Sequence, residues 1–239
     1  MPRRSIPPDD AARSLAAVAT SITTCERCPR LRAYCARIGR EKRAAYRNET
    51  YWARPVPGFG DPHARIVLVG LAPAAHGANR TGRVFTGDGV GGSGDFLMTA
   101  LHAAGLANQP FSRGRDDSLE LRDVWIAATV RCAPPDNKPT PAEIANCYPH
   151  LVDELAALPR MQVLVALGRI AFDTCWRLLA ERGIRRDRKA DFAHGVVFPH
   201  DGGPAIVASY HPSRQNTQTG RLTPAMLLQA CESARSLVR

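Results

Sequence analysis

The run Ile66-Val67-Leu68-Val69 passes directly into Gly70-Leu71-Ala72-Pro73-Ala74-Ala75-His76-Gly77. Four aliphatic residues without a polar break read as a strand covered on both faces, and the small residues after them permit a tight turn. Three further apolar runs follow, at Val124 to Val130, Val163 to Leu167 and Ala205 to Ala208. Helical patterns alternate with them, at Phe96 to Ala104, Pro141 to Leu158 and Arg169 to Arg182, and Pro224 to Val238 closes the chain. Phe96, Leu97, Ala100, Leu101 and Ala104 recur at three- and four-residue steps, giving one apolar face. Thr140-Pro141-Ala142-Glu143 offers an N-cap, a first-position proline and a third-position acid, a good helix start. The alternation predicts an α/β fold: a three-layer α/β/α sandwich around a central, mainly parallel four-stranded sheet.

No internal repeat is visible, and residues 1–239 read as one domain with a Cys-rich segment, about 20–55, folded onto it. Residues 1–20 read as a loose leader ending in a short helix over Asp10 to Ile22. In a parallel sheet the loops at the carboxyl ends of strands form the site. The unusual polar sequence lies after strands: Gly70 to Asp88, Arg131 to Lys138 and Ser209 to Gly220.

Composition narrows the partner. The 239 residues carry 32 Lys plus Arg against 22 Asp plus Glu, a formal charge of +10, and 44% are hydrophobic. Frequent apolar runs exclude a disordered or collagen-like chain, and no apolar run is long enough to span a membrane. The positive balance favours a polyanion, nucleic acid first. Arg3 and Arg4 are followed by Pro7, Pro8, Asp9 and Asp10 rather than an apolar stretch, so a cytoplasmic location is expected.

Seven cysteines in such a chain suggest metal binding or redox chemistry before disulfides. Cys25 and Cys28, with two residues between them, can present both sulfurs to one centre. Cys132 ends the second strand, and Cys147 follows after fourteen intervening residues, early in the next helix. Four sulfurs can serve Zn²⁺ or a [4Fe-4S] cluster, and the spacing does not separate the two. Cys35 is the rival ligand, whereas Cys175 and Cys231 read as core. A centre here is structural, stapling residues 25–28 to the loop after the second strand.

The first loop is neither a P-loop nor a dinucleotide fingerprint, since Gly-Lys-Ser/Thr and Gly-x-Gly-x-x-Gly are absent. Phe85, an aromatic among small and polar residues, suits stacking on a planar ring. Asp88 can orient a water or balance a positive centre, although a helix cap is its plainer role. His76 is a weaker candidate. Asn137, framed by Pro134, Pro135 and Pro139, can meet a base edge, or close an Asx-turn instead. His211, locked by Pro212 at a strand end, can donate to an oxygen gaining negative charge. Arg214, Gln215, Asn216 and Arg221 then stand where a phosphate backbone or a displaced base could be met. Two rival readings are a non-enzymatic iron-sulfur or zinc module that binds nucleic acid, and a nucleotide hydrolase. Neither uses both the Phe85 loop and His211.

The segments Gly70-Leu71-Ala72-Pro73-Ala74, Asn79-Arg80-Thr81-Gly82-Arg83-Val84-Phe85-Thr86-Gly87-Asp88, Arg131-Cys132-Ala133-Pro134-Pro135-Asp136-Asn137-Lys138-Pro139 and His211-Pro212-Ser213 carry a resemblance. In order and with the cysteine spacing, the chain resembles the iron-sulfur family 5 (type b) enzymes of the uracil-DNA glycosylase superfamily. The resemblance implies a [4Fe-4S] cluster on Cys25, Cys28, Cys132 and Cys147. It implies a monomeric, monofunctional glycosylase that flips uracil, or another deaminated base such as hypoxanthine, out of double-stranded DNA for base excision repair. Its catalytic residues would be Asp88, Asn137 and His211. Gly70, Ala72, Ala74 and Phe85 would join Asn137 and His211 around the base, and Arg80, Arg83, Ser213, Arg214, Gln215, Asn216 and Arg221 would hold the DNA. Related families carry an acidic or amide residue near the first motif. Gly70-Leu71-Ala72-Pro73 has none, which fits a wider substrate range.

Overall fold

The computed structural model describes residues 8–186, 191–199 and 202–238. The leader reading of residues 1–7 lies outside them. The helices are α1 (Pro8–Thr23), α2 (Pro29–Glu41), α3 (Ala78–Thr81), α4 (Ser93–Ala103), α5 (Pro141–Ala156), α6 (Arg169–Glu181), α7 (Arg214–Gln218) and α8 (Pro224–Ser236). The strands are β1 (Phe59–Gly60), β2 (Ile66–Gly70), β3 (Val124–Ala128), β4 (Val163–Leu167), β5 (Val197–Phe198) and β6 (Ala205–Ser209).

The sheet runs β1-β3-β2-β4-β6-β5. Its four central strands are parallel, with Leu68 opposite Ile126 on one side and Val165 on the other. The four-stranded expectation needs correction to six, because β1 and β5 add antiparallel edges of two residues each. Segments that short carry no readable alternation.

All five residues of each central strand are buried. Alternation along β2 then assigns its side chains to two cores. Ile66 and Leu68 pack with Leu97 and Leu101 of α4 and Leu227 of α8. Val67 and Val69 pack with Leu151 and Leu155 of α5 and with Phe172 and Trp176 of α6. Helices therefore cover both faces, and all four central strands deliver their carboxyl ends to one rim.

The Cys-rich segment is more ordered than its composition suggested. Pro29 opens α2 directly after Cys28, and Leu31, Cys35 and Ile38 form its buried face. This face packs against Val130, Cys132, Ala133 and Cys147 in a third, smaller core. The capping box foreseen at Thr140 is present, and Glu143 also binds Arg30 of α2 at 2.7 Å. Among the described residues, no helix is long and apolar enough to cross a membrane.

Candidate active site

The strand ends open into a cleft of about 870 Å³. Gly70, Ala72, Ala74, Phe85, Asp88, Asn137, His211, Ser213, Arg214 and Gln215 all line it. Residues separated by up to 145 positions in sequence thus face one space, because β2, β3 and β6 end on the same rim.

Phe85 adopts φ 49°, a left-handed conformation that costs an ordinary residue about 1–2 kcal/mol. Its ring lies beside that of His211, with centroids 5.7 Å apart and planes 30° apart. Gly70 makes room for it: a Cβ there would stand 3.0 Å from Phe85 Cε2.

Asp88 anchors the start of a helix from the cleft wall. Its carboxylate accepts the Gly94 N–H at 3.2 Å, at the start of α4, while it also borders the cleft. Burial raises its pKa, and the backbone N–H groups of Gly94 and Ser93 only partly offset that. Gly94 permits this fit, since a Cβ there would meet Phe85 O at 2.3 Å. His211 is pushed down to about 4 by burial and is therefore a neutral imidazole near pH 7. Asn216 Nδ2 donates to the His211 carbonyl at 2.8 Å and so fixes its loop.

Asn137 is exposed on a turn where Asp136 and Asn137 both have positive φ, at 53° and 57°. Among the described residues its side chain makes no hydrogen bond, so its amide is open to a ligand. His76 also borders the cleft, with its Nδ1 3.0 Å from Tyr51 Oη.

Two of the expected DNA-binding arginines require correction. Arg83 is 5% exposed; its guanidinium contacts Asp117 at 2.6 Å and donates to Ser112 Oγ and Thr86 Oγ1. Arg80, 8% exposed, pairs with Glu49, donates to the Gly87 and His76 carbonyls, and lies 3.9 Å over the Tyr46 ring. Both guanidiniums are taken up by partners within the protein, in the loop and beyond it. Asn216 is likewise turned inward, away from the cleft lining, whereas Arg221 stays exposed over the Tyr210 ring.

Lys138, Arg169, Ile170, Arg43 and Tyr46 line the cleft without having been singled out. Arg169 and Ile170 open the helix after β4, a position that strand topology alone marks out. Arg43 and Tyr46 arrive from the Cys-rich segment through long-range packing, for which the sequence holds no local signal.

Away from the cleft, Cys25, Cys28, Cys132 and Cys147 line one small shared pocket. Cys35 does not line it; its thiol donates to the Ala133 carbonyl at 3.6 Å. Among the described residues no three His, Cys, Asp or Glu side chains converge closely enough to hold a single metal ion as they stand. A larger polynuclear centre fits the donor set. The Arg131 N–H already points at Cys147 Sγ at 3.2 Å, and Asn146 Nδ2 lies 3.8 Å from Cys28 Sγ. N–H donors to sulfur of this kind are a recognised influence on iron-sulfur centres.

The doubly covered parallel sheet thus carries a rim cleft lined by an acid, an amide, an imidazole and an aromatic ring. The Uracil DNA glycosylase superfamily pattern matches residues 57–235, and the chain belongs to that superfamily. A type-5 uracil-DNA glycosylase of Thermus thermophilus is 54% identical over 217 residues, 91% of this chain and 95% of the relative. One of Mycobacterium leprae is 46% identical over 227 residues, 95% of this chain and 96% of the relative. A type-4 uracil-DNA glycosylase of Archaeoglobus fulgidus is 37% identical over 117 residues, 48% of this chain and 49% of the relative.

Proposed function

We propose that the chain is a monofunctional uracil-DNA glycosylase acting on double-stranded DNA, with hypoxanthine as a further substrate. The observation that carries this reading is the convergence of Phe85, Asp88, Asn137 and His211 on one cleft. A deaminated base in a mismatch is cheaper to extrude than a paired one, because opening costs a few kcal/mol and the weak pair lowers that cost. Phe85 stacks on the extruded base and Asn137 meets its edge. The small side chains of Gly70, Ala72 and Ala74 leave room for purines as well as pyrimidines.

The bond to sugar C1′ breaks with both electrons passing to the base nitrogen, and the sugar gains cationic character. Neutral His211 donates a hydrogen bond to the base oxygen that gathers the negative charge. Asp88, as a carboxylate, stabilises the cationic sugar and orients the water that forms the new C1′–O bond. The water proton leaves through Asp88 to solvent or to the departing base. Exposed Arg214, Gln215 and Arg221 face the phosphates, with Ser213 at the start of α7.

We further propose that Cys25, Cys28, Cys132 and Cys147 hold a [4Fe-4S] cluster. Bound there, it serves as a structural tie between the α2 entrance and the loop carrying Asn137. The test of the activity is a panel of duplexes, each with one modified base, incubated in excess EDTA and then treated with alkali. Alkali-labile sites at uracil and hypoxanthine are expected. Intact strands throughout would overturn the reading, and strand cleavage before alkali would overturn monofunctional action.

A further inference from the structure

Arg131 is among the most deeply buried side chains of the protein, at 1% exposed. Its Nη2 donates to Glu154 Oε2 at 2.7 Å, and Glu154 Oε1 accepts the Gly58 N–H at 2.8 Å. Its Nε and Nη1 are buried without a hydrogen-bond partner, as is Nε2 of His150, which is 2% exposed. Arg131 and His150 both line the space bounded by the four cysteines. Arg27 and Arg32 line it too, but Arg27 is exposed and donates from Nη1 to the Asn146 carbonyl, and Arg32 donates to the Ala53 carbonyl and to Glu26; neither has a donor buried without a partner. Buried donors left unmet are costly, and a guanidinium is costlier still. An anionic acceptor in this space removes that cost. A [4Fe-4S]²⁺ core held by four thiolates has a net charge of −2 and presents sulfur acceptors on every face.

We infer that Arg131 is a positioning residue for the cluster, supplying a buried counter-charge and N–H donors that hold it and set its reduction potential. Glu154 orients Arg131 and moderates its charge, and His150 adds a neutral donor. This inference rests on the cluster reading above. It also explains why Arg131 immediately precedes a cluster cysteine: its backbone N–H serves Cys147 while its side chain reaches the same space.

The experiment uses the protein purified with its iron. Iron content and absorbance near 400 nm in the unaltered chain come first, and their absence would defeat the cluster reading itself. With the cluster present, its potential is measured by mediated redox titration in Arg131→Gln and Glu154→Gln. Removing positive charge moves the potential more negative, and removing the nearby carboxylate moves it more positive, so the two variants diverge. Arg131→Gln also loses iron to a chelator roughly tenfold faster, in line with the usual effect of outer ligand partners. A merely structural ion pair would loosen both variants without separating their potentials. Should Arg131→Gln fail to fold, the Arg131→Gln/Glu154→Gln double variant leaves no charge unpaired. Its potential must then lie below that of Glu154→Gln alone. Equal potentials in that comparison, or shifts of the same sign in the single variants, would overturn the inference.

Discussion

The rings of Phe85 and His211 lie 5.7 Å apart at 30°, so one wall of the cleft joins the loop after β2 to the loop after β6. Gly70 lies against the Phe85 ring, and any side chain there presses on it. The stacking surface and the hydrogen-bond donor are therefore parts of one packed unit.

Phe85→Ala removes the stacking face while sparing the donor. Base–aromatic stacking is worth about 1–3 kcal/mol. The concentration dependence of single-turnover excision is expected to weaken by roughly 10-fold or more, with a smaller effect on the saturated rate. Gly70→Ala displaces the same ring, so the change has the same direction and lesser size. Titrating enzyme over a fixed uracil duplex measures both.

The pH profile separates Asp88 from His211. Burial raises Asp88, so its active carboxylate is lost as pH falls through a value above the ordinary aspartate range. His211, held down to about 4 by burial, is neutral near pH 7. Single-turnover rates are expected to show one acid limb above the ordinary aspartate range, which Asp88→Asn abolishes along with most of the rate.

Arg83 sits in the motif but not on the surface. Arg83→Met leaves Asp117 without its buried partner, a loss of about 3–5 kcal/mol in urea unfolding. The salt dependence of DNA binding stays unchanged in that variant. Arg214→Ala gives the opposite pattern, lowering the slope of log K against log salt by about one with little change in stability.

The cysteines divide into two groups. Alanine at Cys25, Cys28, Cys132 or Cys147 is expected to remove iron and the 400 nm absorbance. Cys35→Ala retains both, since its thiol lies behind Cys132, against that thiol and the Ala133 carbonyl, and does not line the shared space. Iron analysis after purification distinguishes them.

Much of the architecture was legible because the central strands are covered on both faces, which leaves unbroken apolar runs such as Val163 to Leu167. The two edge strands were not, since Phe59–Gly60 and Val197–Phe198 are too short for any period. Helix α2 was overlooked, although Leu31, Cys35 and Ile38 at four- and three-residue steps carried the signal beneath a dense surface charge. At the site, Asp88, Asn137 and His211 stood out as polar residues after apolar strands, and topology brings them together. Net charge, by contrast, counts arginines without placing them. Arg80 and Arg83 were expected on the DNA from their place in the motif, and only the fold reveals Glu49 and Asp117 as their partners. Arg43 and Tyr46 reach the cleft through contacts that no local pattern encodes.

The central claim is that an extruded base is released by charge stabilisation from His211. Its most direct test is the single-turnover rate of uracil release from a U:G duplex by His211→Ala, beside a thermal melt of the same variant. The account predicts a rate lower by roughly 10²-fold or more, the usual worth of a preorganised donor to a developing anion, with the melting temperature nearly unchanged. A folded variant whose rate stays within about threefold of the original, where a donor of this kind is worth far more, would contradict it.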